Sequence, residues 1–156
     1  MKLSKYHKGI NVKKTNLINS FILSGNVFDI GCGNGLYGLF CKEKGLKVTQ
    51  LDIEDRRDNK AKKLDFIKAD LEDYELINLD YANVLLFDVL EHIKFDKRFL
   101  KKTHKIMKKG SRIFISVPNS DNSILEKSEV AHFHFTDKTH YREYSDLEIK
   151  EVVEQA

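Results

Sequence analysis

The chain has 156 residues, 41% of them hydrophobic and 33% charged, a size and balance that suit one soluble globular domain and exclude disordered and fibrous classes. The formal net charge of +3 conceals 27 basic and 24 acidic side chains, so where charges cluster matters more than their sum. A mean hydropathy of -0.45, no run near the ~20 apolar residues of a bilayer span and a polar stretch from Asn11 to Ser20 where a secretion signal would be apolar point to a cytoplasmic protein without a membrane partner; Cys32 and Cys41 alone make neither a disulfide framework nor a cysteine zinc site.

In chain order, the first expected helix is Lys13 to Leu23, with Leu17, Ile18, Phe21 and Ile22 on one face and Ser24-Gly25 as its stop. Asn26 to Ile30 is a short apolar strand, followed by the glycine-rich loop Gly31 to Gly35. Leu36 to Lys44 is a helix that stops at Gly45, a residue suited to a left-handed cap. Lys47 to Leu51 is a second strand closed by Asp52, Leu64 to Lys68 a third, and Tyr81 to Phe87 a fourth. Lys94 to Met107 is an amphipathic helix ending at Gly110, with Phe99, Leu100, Thr103, Ile106 and Met107 inward. Ile113 to Val117 is a fifth strand stopped by Pro118, and Ser145 to Gln155 a last helix with Ser145 as its cap.

Apolar strands alternating with helices predict an α/β fold: a Rossmann-like, doubly wound, mostly parallel sheet of about five strands with helices on both faces. In such sheets the ligand crevice lies beyond the carboxyl ends of the strands. That directs attention to Gly31–Gly35, Asp52, Asp70, Asp88–His92 and the stretch from Pro118 to Tyr144.

Glycines at 31, 33 and 35 let the backbone turn tightly and approach a ligand where a Cβ would collide. A dinucleotide fingerprint would need a third glycine where Leu36 stands. Asp29, two residues before the loop, is awkward for a pyrophosphate and welcome to a cationic ligand. The segment Val27-Phe28-Asp29-Ile30-Gly31-Cys32-Gly33-Asn34-Gly35 resembles the first motif of class I S-adenosylmethionine-dependent methyltransferases, and the resemblance continues with an acidic residue after strands two and three and with Asp88-Val89-Leu90-Glu91-His92 after strand four. It implies an enzyme that binds S-adenosylmethionine, releases S-adenosylhomocysteine, and contacts the cofactor through Asp29, Gly31, Cys32, Gly33 and, after strand four, Asp88.

Asp52 stands 21 residues after Gly31, near the ~20 that brings a carboxylate to a ribose. An ionised carboxylate is acceptor-only and takes both ribose hydroxyl protons. A solvated turn within Asp52-Ile53-Glu54-Asp55 is the competing reading; on the functional one, Ile53 joins Asp52 at the cofactor. By resemblance, Asp70 accepts from the adenine amino group with Leu71 beside the ring, although Asp70, Glu72 and Asp73 also suit a loop or a helix start.

Asp88, Glu91 and His92 stand at i, i+3 and i+4, so on a helical turn they share a face. Three readings stand open: a structural turn, His92 as general base for a substrate hydroxyl, and a divalent metal site completed by His132, His134 or His140. The last has a precedent in the resemblance of Asp88 to His92 to metal-binding turns of ubiquinone-biosynthesis O-methyltransferases and small-RNA 2′-O-methyltransferases; oxygen ligands with one or two imidazoles suit Mg²⁺, Mn²⁺ or Zn²⁺. His132-Phe133-His134-Phe135 and Thr139 to Ser145 resemble the substrate-side stretch before the final helix, either a lid or a surface loop folded down by Phe133, Phe135 and Tyr144.

Lys94, Lys97, Arg98, Lys101, Lys102, Lys105, Lys108 and Lys109 crowd one helix and its end. Without interleaved aromatics the stripe reads as a solvated face rather than a nucleic-acid surface. Five strands fall short of the seven in a complete class I sheet, whose C-terminal hairpin would lie beside strand five, so pairing of that edge with another copy is expected. The favoured activity is methyl transfer to an oxygen or nitrogen of a small molecule, with His92 as catalytic residue. RNA ribose and a non-catalytic cofactor-binding module are the alternatives.

Overall fold

A computed structural model describes residues 9–22, 24–73, 81–120 and 137–156. Five parallel strands form one sheet in the order β3-β2-β1-β4-β5: β1 (Asn26–Ile30), β2 (Lys47–Asp52), β3 (Asp65–Lys68), β4 (Tyr81–Phe87) and β5 (Met107–Ser116). The chain winds outward from β1 to β3, then crosses back to β4, so the order reverses between β1 and β4. Four α-helices accompany the described sheet: α1 (Val12–Phe21), α2 (Leu36–Glu43), α3 (Asp96–Ile106) and α4 (Asp146–Glu154). The α/β, doubly wound expectation holds.

Alternation along the strands divides the core in two. Val27, Leu85 and Phe87 pack with Ile18 of α1, Ile22 at its C-cap, and Leu39 and Phe40 of α2. Phe28, Ile30, Val84 and Leu86 pack on the other face with Phe99 and Leu100 of α3 and Val152 of α4. Capping fixes the helix starts: Asn11 accepts from Lys13 N–H at α1, and Ser145 forms the expected cap of α4, its hydroxyl accepting from Glu148 N–H while Glu148 accepts from Ser145 N–H. Among the described residues no helix is long and apolar enough to cross a membrane.

Most element ends lie within two residues of expectation, and the largest difference is at the junction of α3 and β5. The helical pattern was extended to Met107 with Gly110 as its stop, yet α3 passes directly into β5 at Met107. Pairing with β4 begins at Tyr81–Met107, shifts register before Asn83–Arg112, and Gly110 takes φ 87° in the shifted stretch. Ladder formation against a buried neighbour outweighs the helical preference of a lysine-rich segment.

Candidate functional site

The glycine loop sits at the reversal between β1 and β4. Gly31 and Cys32 both donate to the Leu51 carbonyl, at 2.8 and 3.0 Å, and Gly35 donates to the Cys32 carbonyl at 2.8 Å. All three loop glycines adopt positive φ: 65° at Gly31, 52° at Gly33 and 73° at Gly35, a region that side chains avoid. A Cβ at Gly31 would lie 2.4 Å from Val89 Cγ2, whereas one at Gly33 would meet nothing within 4 Å. The loop is therefore packed at its root and open at its middle.

A buried polar network lies behind it. Asp29 is 3% exposed and its Oδ2 accepts from Gly38 N–H (3.0 Å) and Gln50 Nε2 (2.8 Å). Gln50 Nε2 also reaches the Gly35 carbonyl at 3.1 Å, while its Oε1 accepts from Arg57 Nη1. Arg57, itself buried, forks onto Asp55 and stacks on Phe66. Burial raises the Asp29 carboxyl to about 6 against the two hydrogen bonds that favour its charge. Asp29 thus holds the loop from beneath. Burial also raises both thiols, Cys32 far up and Cys41 to about 12, which favours their protonated forms.

Asp52 reaches the loop from the end of β2. Its Oδ2 accepts from Gly33 N–H at 2.8 Å, beside the open space at Gly33. Oδ1 receives Glu54 N–H at 3.4 Å. Ile53 next to it is 54% exposed. After β3, Asp70 is exposed and turns the chain by accepting from Glu72 N–H, and Leu71 packs against the core edge.

At the end of β4, Asp88 takes φ 56°, rare outside glycine. Its carboxylate meets Lys14 Nζ from α1 and Ser116 Oγ from β5, and the Lys14 ammonium stands 5.7 and 5.4 Å from the ring centres of Tyr37 and Phe87. Asp88 is therefore turned to Lys14 and Ser116, and the expected shared face of Asp88, Glu91 and His92 is not formed; the turn at Leu90–His92 is a 3₁₀ helix. Glu91 and His92 instead gather with His140, ligating atoms of the three lying within 4.8 Å of one another. Glu91 is 1% exposed, its Oε2 has no hydrogen-bond partner among the described residues, and burial lifts its carboxyl to about 7. His92 Nδ1 lies on Thr139, and its ring meets the His140 ring edge-on at 4.7 Å. An orphaned carboxylate oxygen beside two imidazoles is a donor set that fits a divalent cation. His132, His134, Phe133 and Phe135 lie outside the described residues. Tyr144 is buried, its hydroxyl on Asp96.

Gly38, Gln50, Arg57 and Lys14 escaped the sequence reading. A glycine within the first turns of a helix is the one signal that could have exposed Gly38: a Cβ there would stand 2.4 Å from Gln50 Nε2 and 2.9 Å from Asp29 Oδ2. Lys14 is one lysine among many and gives none. The basic stripe does carry one aromatic, Phe95, 56% exposed with Lys94 over its ring.

A family model described as a methyltransferase domain matches residues 10–156. The chain is 29% identical over 103 residues to a ubiquinone biosynthesis O-methyltransferase of Idiomarina loihiensis, covering 60% of this chain and 42% of that protein. It is also 29% identical over 102 residues to a protein of the same name from Vibrio atlanticus, covering 60% and 43%. The chain thus spans under half the length of the curated relatives it matches. Among solved structures, a SAM dependent methyltransferase from Archaeoglobus fulgidus aligns with TM-score 0.73 and 25% identity over 91% of this chain and 64% of that one. The plantazolicin methyltransferase BpumL, solved with SAH, shares the fold at TM-score 0.67 and 20% identity over 88% and 58%.

Proposed function

Because this chain belongs to the methyltransferase-domain family, we propose that residues 1–156 form one S-adenosylmethionine-binding domain that directs methyl transfer to an oxygen or nitrogen of a small molecule. The observation that carries this reading is the open middle of the glycine loop at Gly33, directly beside the Asp52 carboxylate and at the reversal of strand order. A ligand backbone can approach there without meeting a side chain, and an acceptor-only group waits for its hydroxyls.

S-adenosylmethionine supplies the electrophilic methyl, with S-adenosylhomocysteine as product, so the chain's own work is to bind, orient and exclude water. Asp52 takes the ribose hydroxyls, and Ile53 and Leu71 flank the base, with Asp70 toward its amino group. Gly31, Cys32 and Gly33 present backbone to the methionine part. Asp29 acts one layer behind, keeping the loop in its left-handed turns. Asp88 and Lys14 supply opposite charges at the mouth, suited to the ammonium and carboxylate of an amino acid. His92 takes the proton from an acceptor hydroxyl. Titration calorimetry tests the reading: S-adenosylmethionine binds and NAD does not. NAD binding without S-adenosylmethionine binding overturns it.

A second element is favoured by the orphaned Oε2 of Glu91. Glu91, His92 and His140 would hold a divalent cation, which when bound acts as a Lewis acid toward an acceptor oxygen. Metal analysis after saturation with Mg²⁺, Mn²⁺ or Zn²⁺ should find bound ion in the wild type and little in Glu91→Ala/His140→Ala; none in the wild type discards the element. The acceptor class extends second to RNA ribose, and the outer edge of β5, an end strand of the described sheet, is where a second copy would pair.

A further inference from the structure

A hydrogen-bond chain outside the cofactor cradle fixes the chemistry of His92. Asp137 Oδ1 accepts from the Thr139 hydroxyl at 2.6 Å and from the Thr139 N–H at 2.9 Å. Both bonds end on the same carboxylate oxygen, and a backbone N–H can only donate, so Oδ1 is the acceptor in each. The one hydroxyl proton of Thr139 is committed to Asp137. Its oxygen, 3.0 Å from His92 Nδ1, is left to accept. The second neighbour of Nδ1 is the Thr139 carbonyl at 3.2 Å, again only an acceptor. Two acceptors converge on Nδ1, and a ring nitrogen bearing a lone pair would be repelled by both. The proton therefore sits on Nδ1 and the lone pair on Nε2.

We infer that Asp137 and Thr139 are positioning residues that lock His92 as its Nδ1–H tautomer, so that Nε2 is the nitrogen able to take a proton or bind a cation. Its use for an acceptor rests on the function proposed above; the tautomer itself does not. The same Asp137 reaches His140, with Oδ2 at 3.7 Å from Nε2, so one carboxylate braces both imidazoles that flank Glu91. In serine hydrolases a buried aspartate sets a histidine tautomer directly. Here a threonine hydroxyl is interposed, which places the carboxylate at a surface turn.

The test is a long-range ¹H–¹⁵N correlation spectrum of labelled protein, in chelator and at a pH where the imidazole is neutral, with His92→Gln to assign the signal. The wild type should give the Nδ1–H pattern, and Thr139→Ser should retain it. Thr139→Val and Asp137→Ala remove the hydroxyl's commitment but keep the Thr139 carbonyl at Nδ1, so they should lower the Nδ1–H share to a mixture of tautomers. An Nε2–H pattern in the wild type, or no change in Thr139→Val, overturns the inference. Because the wild-type spectrum alone decides the first point, unfolding of a variant does not shield it. Calorimetry with S-adenosylmethionine on the same sample separates the two claims: Nδ1–H without cofactor binding sinks the proposed function and leaves the relay standing, and binding with Nε2–H does the reverse.

Discussion

The two ends of the cleft are built on opposite principles. Around the glycine loop, the buried groups Asp29, Gln50 and Arg57 are matched to donors and acceptors at hydrogen-bond distance. At the end of β4, Glu91 is buried to a similar degree and its Oε2 is matched to no group among the described residues. Satisfied networks rigidify, whereas an unpaired buried carboxylate costs stability and persists where something else is gained. The difference separates a cradle, which must not move, from a reactive corner, which must have unspent capacity.

Gly31 joins the two regions, and its substitution should show the largest effect. In Gly31→Ala a Cβ would be forced 2.4 Å from Val89 Cγ2 at φ 65°, adding left-handed strain to overpacking and costing about 2–4 kcal/mol in urea unfolding. Gly33→Ala carries only the strain, about 1–2 kcal/mol, because the added Cβ meets no described atom within 4 Å. It should nevertheless abolish measurable S-adenosylmethionine binding. A Gly33→Ala protein that binds normally would show that the open middle of the loop is not where the ligand sits.

Glu91→Gln sharpens the contrast through pH. The folded carboxyl titrates at about 7 instead of 4.5, so the neutral form is the favoured one. Its stabilising effect is complete below pH about 4.5 and is lost as pH rises through about 7. In chelator at pH 8, Glu91→Gln should therefore exceed the wild type by about 2–3 kcal/mol, the gap closing toward pH 4.5. Asp29→Asn should gain less at pH 8, since two donors already support the charged form at that position. A wild type that outlasts Glu91→Gln at pH 8 would mean that the corner is not strained.

What was legible in the sequence follows the same division. β1 and β4 were read to the residue because short, mostly apolar runs bounded by loops admit one interpretation, and the ends of those strands located the cleft. β5 was read short because its start is decided by pairing across a register shift with β4, a tertiary fact. At the site, Gly31, Gly33 and Asp52 announce themselves through backbone need and spacing. Asp29 was recognised, but its protein partners were not: strand alternation sends it to the α2 side with Val27, where Gly38 N–H and Gln50 Nε2 donate to it. Gln50, Lys14, Asp137 and Thr139 are ordinary polar residues locally. Only the fold brings Thr139 to His92, 47 positions away.

Asp52→Ala tests the cradle at intermediate size. Removal of a charge-assisted acceptor costs about 1.5–3 kcal/mol, so affinity for S-adenosylmethionine should fall roughly 10- to 100-fold with the fold intact. Loss of Gly33 N–H as a partner adds to this, because that amide then opens onto solvent. An unchanged dissociation constant would remove Asp52 from the ribose role and leave it as a loop staple alone.

The smallest effect is expected where the reactive corner is fastened to the body of the fold. Tyr144 donates to Asp96 Oδ2 at 2.8 Å, and Arg142 reaches the same oxygen at 2.7 Å. Tyr144→Phe keeps the buried ring in place and leaves Asp96 its guanidinium, so no charge is stranded. The cost should be that of one net hydrogen bond, about 1 kcal/mol, read as a small drop in unfolding midpoint, with S-adenosylmethionine affinity unchanged. Residues 137–140 precede this tie on the same segment, and Tyr141 N–H donates to the Glu91 carbonyl at 2.8 Å, a second and independent fastening. If Tyr144→Phe alone shifts the His92 imidazole signals as far as Asp137→Ala does, the corner owes its geometry to the strap as a whole rather than to the Asp137–Thr139 pair.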